Sequence, residues 1–310
     1  MTSMLTAADL ARLVDTDTRT ANTLLQQFAF SPLSYRELTP AESAAATAQV
    51  DAALHADLRV SGRNDAAIWE RGWGEVAKEL AGKPITIEAL RPPYFRGEPT
   101  CRLEGRYIRP LDASFEYDAS LALRRLVFDR FLGTYERVVE IGCGTGINLL
   151  ILAAQFQRMK LVGCDWATPS RDIVNAMARQ SGRAIEGHLF NMLTAEGWDG
   201  ATIDRQTALL TVHALEQLAG NWRPFLDFVL ARKPGFVLHI EPIMELYDPS
   251  SPFDERARLY HLKRGYLQGY LPALRALAQA GQIALDVTRR IRFGGLYHEA
   301  YSIVAWRPTG

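Results

Sequence analysis

Between Ser120 and Trp306 seven short apolar runs alternate with helix-length segments, a rhythm that few folds accept. The runs are "RVVEIG", "KLVGCD", "AIEGHLFN", "TALLTVHA", "GFVLHIEP", "IALDVTRR" and "EAYSIVAW". Helices are expected after Gly146, from Ser170 to Gln180, from Trp222 to Ala231 and from Leu267 to Ala280. Apolar strands joined by helices imply a parallel sheet covered on both faces. The last two runs are separated only by "IRFGGLYH", too short for a helical crossover, so they should pair as an antiparallel hairpin. The expected class is therefore α/β: a doubly wound seven-stranded sheet with six parallel strands and the last one antiparallel.

Residues 1–110 read differently. Helix candidates occupy "TAADLARLV", "TRTANTLLQQFAF", "AESAAATAQVDAALHADL" and "DAAIWERGWGEVAKEL", none with a recognisable chemical motif. The stretch "PITIEALRPPYFRGEPTCRLEGRYIRPLD" then breaks the pattern with proline and glycine and could form a hairpin or two irregular strands. This divides the chain into a mostly helical N-terminal extension, 1–110, and an α/β domain, 111–310.

Composition narrows the partners. Lys+Arg and Asp+Glu balance at 35 each, which argues against an electrostatic footprint for nucleic acid or an anionic membrane. Cys101, Cys143 and Cys164 form no CxxC pair and no even-numbered framework, pointing to a reducing, cytoplasmic setting. The amino terminus has no leader-like pattern, and "LLILAAQF" is too short to span a bilayer. A small-molecule partner is expected, with the oligomeric state, a homodimer included, left open.

The first run continues as "VVEIGCGTGINLL", so Glu140 is followed by Gly142, Gly144 and Gly146 where a helix begins. In a doubly wound sheet this turn lies where ligands cross the carboxyl ends of the strands. A dinucleotide site would need GxGxxG, and Ile147 stands where the last glycine would fall. An acid beside the turn also repels a pyrophosphate. The ligand should carry positive charge or hydroxyls there.

This stretch resembles the first motif of the class I S-adenosylmethionine-dependent methyltransferases: an acid, one apolar residue, then GxGxG. The resemblance implies S-adenosylmethionine as methyl donor, with Glu140 near its methionine ammonium. Gly142, Gly144 and Gly146 would let the backbone pass close to it, with Cys143 and Asn148 among the contacts. Asp165, ending the second run, would accept the ribose hydroxyls beside Trp166 over the adenine; the plainer reading is that Asp165 caps the helix beginning near Pro169. Asn191 stands where the family frequently has an acid that accepts the adenine amino group, with Met192 beside it. Tyr117 would close over the cofactor.

The fourth run ends in "HALEQ", similar to an "HxLEH" stretch of small-molecule members, and places His213 and Glu216 beneath the expected methyl donor. His213 is a candidate base or a positioning group. Glu241, ending the fifth run, should face the cleft and bind a substrate amine or hydroxyl, or hold a metal with His213. The carboxylate spacing of a magnesium or calcium site is missing, so no metal is expected. His261, Arg264, Tyr266, Tyr270, Tyr297 and His298 are rim candidates. The activity implied is methylation of a small molecule, most simply at oxygen. N-methylation of a small molecule or peptide, and a non-catalytic methyltransferase-like subunit, remain open.

Overall fold

The computed structural model describes residues 2–61, 66–92, 95, 100–199 and 202–310. Asp65, the first residue of one helix candidate, and parts of the proline-rich stretch lie outside these. The amino-terminal part begins with β1 (Thr2–Leu5), α1 (Ala7–Val14), α2 (Thr18–Gln27), β2 (Leu33–Glu37), α3 (Pro40–His55) and α4 (Ala66–Leu80). Caps fix these starts. Thr6 and Asp9 form a capping box on α1, Thr39 and Glu42 another on α3, and Pro40 adds a preset φ at the first turn. β3 (Cys101–Leu103) and β4 (Arg106–Pro110) make the anticipated hairpin.

The helical extension also carries a sheet that the sequence reading did not foresee. β1, β2, β4 and β3 pair antiparallel, and the fifth strand, β11, comes from Phe293–Gly294 near the other end of the chain. The "IRFGG" connector is thus a strand of the amino-terminal sheet. The two parts also share one core: Leu10, Val14 and Leu25 pack in the same apolar cluster as Phe115, Phe128 and Ile303.

The second part opens with α5 (Phe115–Leu132), a helix that the alternation did not suggest. It continues through β5 (Arg137–Ile141), α6 (Ile147–Gln155), β6 (Lys160–Asp165), α7 (Thr168–Ser181), β7 (Ile185–Leu189), β8 (Thr207–Val212), α8 (Arg223–Arg232), β9 (Phe236–Glu241), α9 (Pro252–Arg264) and α10 (Tyr270–Gln279). β10 (Ile283–Arg289) and β12 (Ser302–Pro308) close the second sheet, on either side of β11. That sheet runs β10-β12-β9-β8-β5-β6-β7. Only β12 is reversed, antiparallel to both β10 and β9, so the expected six-plus-one arrangement holds. β8 and β9 are buried along their whole length, which is why they read as unbroken apolar runs.

β5 pairs with β6 on one side and β8 on the other, and the chain winds outward in both directions from it. That makes a topological switch point. The carboxyl ends of β5, β6 and β8 bring Glu140, Asp165 and His213 to one crevice. No helix among the described residues is long and apolar enough to cross a membrane.

Candidate active site

Two adjoining cavities meet over the turn that follows β5. One is lined by Gly142, Gly144, Asp165, Trp166, Asn191 and Met192, with His213 at its boundary. The other shares His213 and the glycines and adds Glu140, Cys143, Asn148, Glu216, Arg264 and Tyr266. Most of the candidate residues therefore converge, although they come from strands far apart in sequence.

Glu140 is 1 % exposed. Its Oε1 accepts a 2.6 Å hydrogen bond from Asn148, whose own Oδ1 accepts from Arg124. Its Oε2 has no partner. Burial pushes this carboxyl up to about 8, although Asn148 and Arg124 pull the other way. Glu140 lines the second cavity, and a buried carboxyl oxygen without a donor there is a place for a ligand cation.

Asp165 is likewise buried and pushed up to about 6 by burial. Its Oδ2 accepts from the Gly144 amide and its Oδ1 from the Ala167 amide. The first amide of α7, that of Thr168, donates to Glu70 of α4 and not to Asp165. Asp165 therefore straps the glycine turn to β6, and each oxygen keeps a lone pair for hydroxyl donors.

The glycines divide the work unevenly. A Cβ on Gly142 would stand 2.4 Å from the Ala214 Cβ, and its φ is +74°. The bareness of this residue lets the turn after β8 close against the turn after β5. Gly144 makes room for Trp73, whose ring lies 3.0 Å from the Cβ position. Gly146 lines neither cavity; it packs toward Val174 and Met177 of α7, which corrects its expected place beside the ligand.

Asn191 lines the cavity, but its Oδ1 already accepts from the Leu193 amide, leaving one lone pair for an adenine amino group. Met192 lies beside it with its methyl near Gly142. Tyr117 does not reach either cavity. It is 2 % exposed, donates to the Ile87 carbonyl and packs against Phe95 and Arg91, so it holds these residues instead of covering a cofactor.

His213 has φ +54°, a left-handed conformation uncommon for a residue with a side chain. Its amide donates to Ile240, its ring meets Tyr301 edge-on, and its Nδ1 lies 3.8 Å from Glu216. Nε2 is buried without a partner. Burial would raise the Glu216 carboxyl, but His213, with His298 and Gln217, holds it below its ordinary value. An ionised Glu216 then favours the proton on Nδ1 and leaves Nε2 as acceptor.

Glu241 is the clearest correction. It is fully buried and lines neither cavity. Oε1 accepts from the Ala214 and Leu215 amides, and Oε2 from the Glu216 amide. The carboxylate pins the turn that carries His213 and is not available to substrate or metal. Glu241→Ala should therefore lower stability by about 2–4 kcal/mol, since a charged acceptor of several amides is lost. A melting temperature unchanged from the native protein would contradict this.

Trp69 and Trp73 were missed. They lie four residues apart on α4, which puts both on one face, and both line both cavities. "WERGW" on an amphipathic helix was the available signal. Arg264, Tyr266, Tyr297 and His298 also line the second cavity as expected, whereas His261 is fully buried and Tyr270 is bonded to His239 beneath the sheet. Among the described residues no group of three or more His, Cys, Asp or Glu is placed to hold a metal ion.

No protein-family model and no curated protein matches the chain. Among solved structures it is similar to the [4+2]-cyclase SpnF, at 15 % identity and a TM-score of 0.52, over 82 % of this chain and 98 % of that one. The chain has the class I methyltransferase fold. The geranyl diphosphate C-methyltransferase from Streptomyces coelicolor A3(2) is a more distant match, with 14 % identity, 76 % and 98 % coverage and a TM-score of 0.44. So is a SAM-dependent methyltransferase from Aquifex aeolicus, with 16 % identity, 58 % and 89 % coverage and a TM-score of 0.39.

Proposed function

We propose that this methyltransferase fold binds S-adenosylmethionine and transfers its methyl group to a polar small molecule, with oxygen as the accepting atom. The observation that carries the reading is Glu140 Oε2, buried and unpartnered at the glycine turn. An ammonium would satisfy it, and Asp165 at the next strand end suits a pair of ribose hydroxyls. Phosphates are disfavoured by the ionised Asp165. Trp166, Asn191 and Met192 would border the adenine.

The bound cofactor supplies an electrophilic methyl group, and the chain supplies alignment and proton removal. His213 Nε2 accepts the acceptor hydroxyl's proton, and Glu216 stabilises the resulting imidazolium from the Nδ1 side. Residues 1–110 act as a cap, through Trp69 and Trp73 of α4. SpnF supports a second reading, because that protein of like fold is a [4+2]-cyclase and fold does not fix chemistry.

Calorimetry tests the binding half. S-adenosylmethionine and S-adenosylhomocysteine should bind at about micromolar concentration, with NAD and NADP silent. Asp165→Ala should weaken them by about 1.5–3 kcal/mol, the worth of hydrogen bonds to a charged group. Unchanged affinity in that variant would remove Asp165 from the site.

Protons give an independent check. The Glu140 carboxyl, pushed up to about 8, is mostly protonated in the free protein at neutral pH. An ammonium beside it lowers that value, so binding releases a proton and affinity rises with pH up to about 8, where the carboxyl of the free protein itself ionises. Heats measured in buffers of different ionisation enthalpy should show the release in the native protein and not in Glu140→Gln. Equal release in both would place the ammonium elsewhere.

A further inference from the structure

α5 separates two cavities. Arg124 faces the candidate active site, while its neighbour Arg125 lines a second, open cavity of about 310 Å³ on the amino-terminal side. That volume lies at the lower end of the range of small-molecule sites, about 300–1,000 Å³. Its apolar walls include Leu25, Phe28, Phe30 and Leu121. The turn after α2 holds Ala29 at φ +53° and brings both phenylalanines to the cavity.

Arg125 is 7 % exposed, and its Nη1 is buried without a hydrogen-bond partner. Among the described residues it forms no ion pair, and its guanidinium lies 3.5 Å from the Phe28 ring centre. The other charged group at this cavity, Asp118, is engaged by the Ser114 hydroxyl at 2.5 Å. Burial, with Arg124 adding to it, pulls the Arg125 guanidinium down to about 10. A buried cation with no counter-ion is costly unless something supplies one.

We propose that this cavity binds a small amphipathic carboxylate, its apolar body against Phe28, Phe30 and Leu121 and its anionic head on Arg125. Nothing in this depends on the cofactor reading, because the site lies on the other side of α5. The cavity supplies shape and apolar area, and Arg125 supplies the preference for an anion.

Octanoate, 1-octanol and octylammonium titrated into the full chain, followed by calorimetry and by amide chemical shifts, test the assignment. Octanoate should bind saturably at one site, with octanol weaker by about tenfold or more, the value of a charged hydrogen bond. Octylammonium should not bind. Arg125→Met should lose the preference for octanoate over octanol. Leu121→Trp should fill the cavity and abolish binding of both without changing any charge. If Arg125→Met fails to fold, the ligand ranking in the native protein and the Leu121 variant decide the matter. Octanol binding as tightly as octanoate, octanoate binding unaffected by Leu121→Trp, or no octanoate binding up to about 10 mM, far weaker than the millimolar end of ordinary affinity, would overturn the proposal.

Discussion

His213→Ala should lower turnover about a hundredfold or more while leaving cofactor affinity nearly unchanged, the usual contribution of a general base. The structure gives this a geometric basis. His213 lines both cavities and its Nε2 is buried and unpartnered, while Nδ1 faces Glu216 at 3.8 Å, within ion-pair but beyond hydrogen-bond range. If His213 only positions the cofactor, His213→Asn should retain most of the rate and the alanine variant should lose affinity and rate together. Full turnover by His213→Asn, whose amide cannot take up the proton, would rule out the base.

Gly142→Ala should be the most damaging change in the turn. The new methyl would meet Ala214 at 2.4 Å, and the residue would be held at φ +74°. Overpacking and left-handed strain together should cost about 2–4 kcal/mol. Because Ala214 follows His213, the same displacement moves the base, so cofactor affinity and turnover should fall together. Gly220→Ala is the control: nothing lies within 4 Å of its Cβ position, and stability should change by no more than about 0.5 kcal/mol. Equal melting temperatures for Gly142→Ala and the native protein would contradict the packing described.

The seven-stranded sheet was legible because its strands are apolar where both faces are buried, and the short final connector ruled out a crossover. The amino-terminal sheet was not. β1 and β2 are four and five residues long, and their sheet is completed by Phe293–Gly294 from the far end of the chain. Local patterning carries no trace of such pairing. α5 was hidden for another reason: Arg124 and Arg125 are buried among its apolar residues, so no clean polar face marks the helix. In the site, strand ends fixed where Glu140, Asp165 and His213 would meet. They could not show that three amides of a turn more than twenty residues earlier already occupy the carboxylate of Glu241. "WERGW" marks Trp69 and Trp73 as one helix face, but what that face meets is set by tertiary docking of α4, with Glu70 bonded to the start of α7.

The most direct test of the central claim is transfer of a labelled methyl group from S-adenosylmethionine, with the purified chain and a fractionated extract of small polar metabolites. Label should appear in a small-molecule fraction as an acid-stable, base-stable ether methyl, at a rate lost in His213→Ala and unaffected by chelation of divalent ions. Tight binding of the cofactor with no label transferred to any fraction would contradict methyl transfer and favour non-methylating chemistry on this fold.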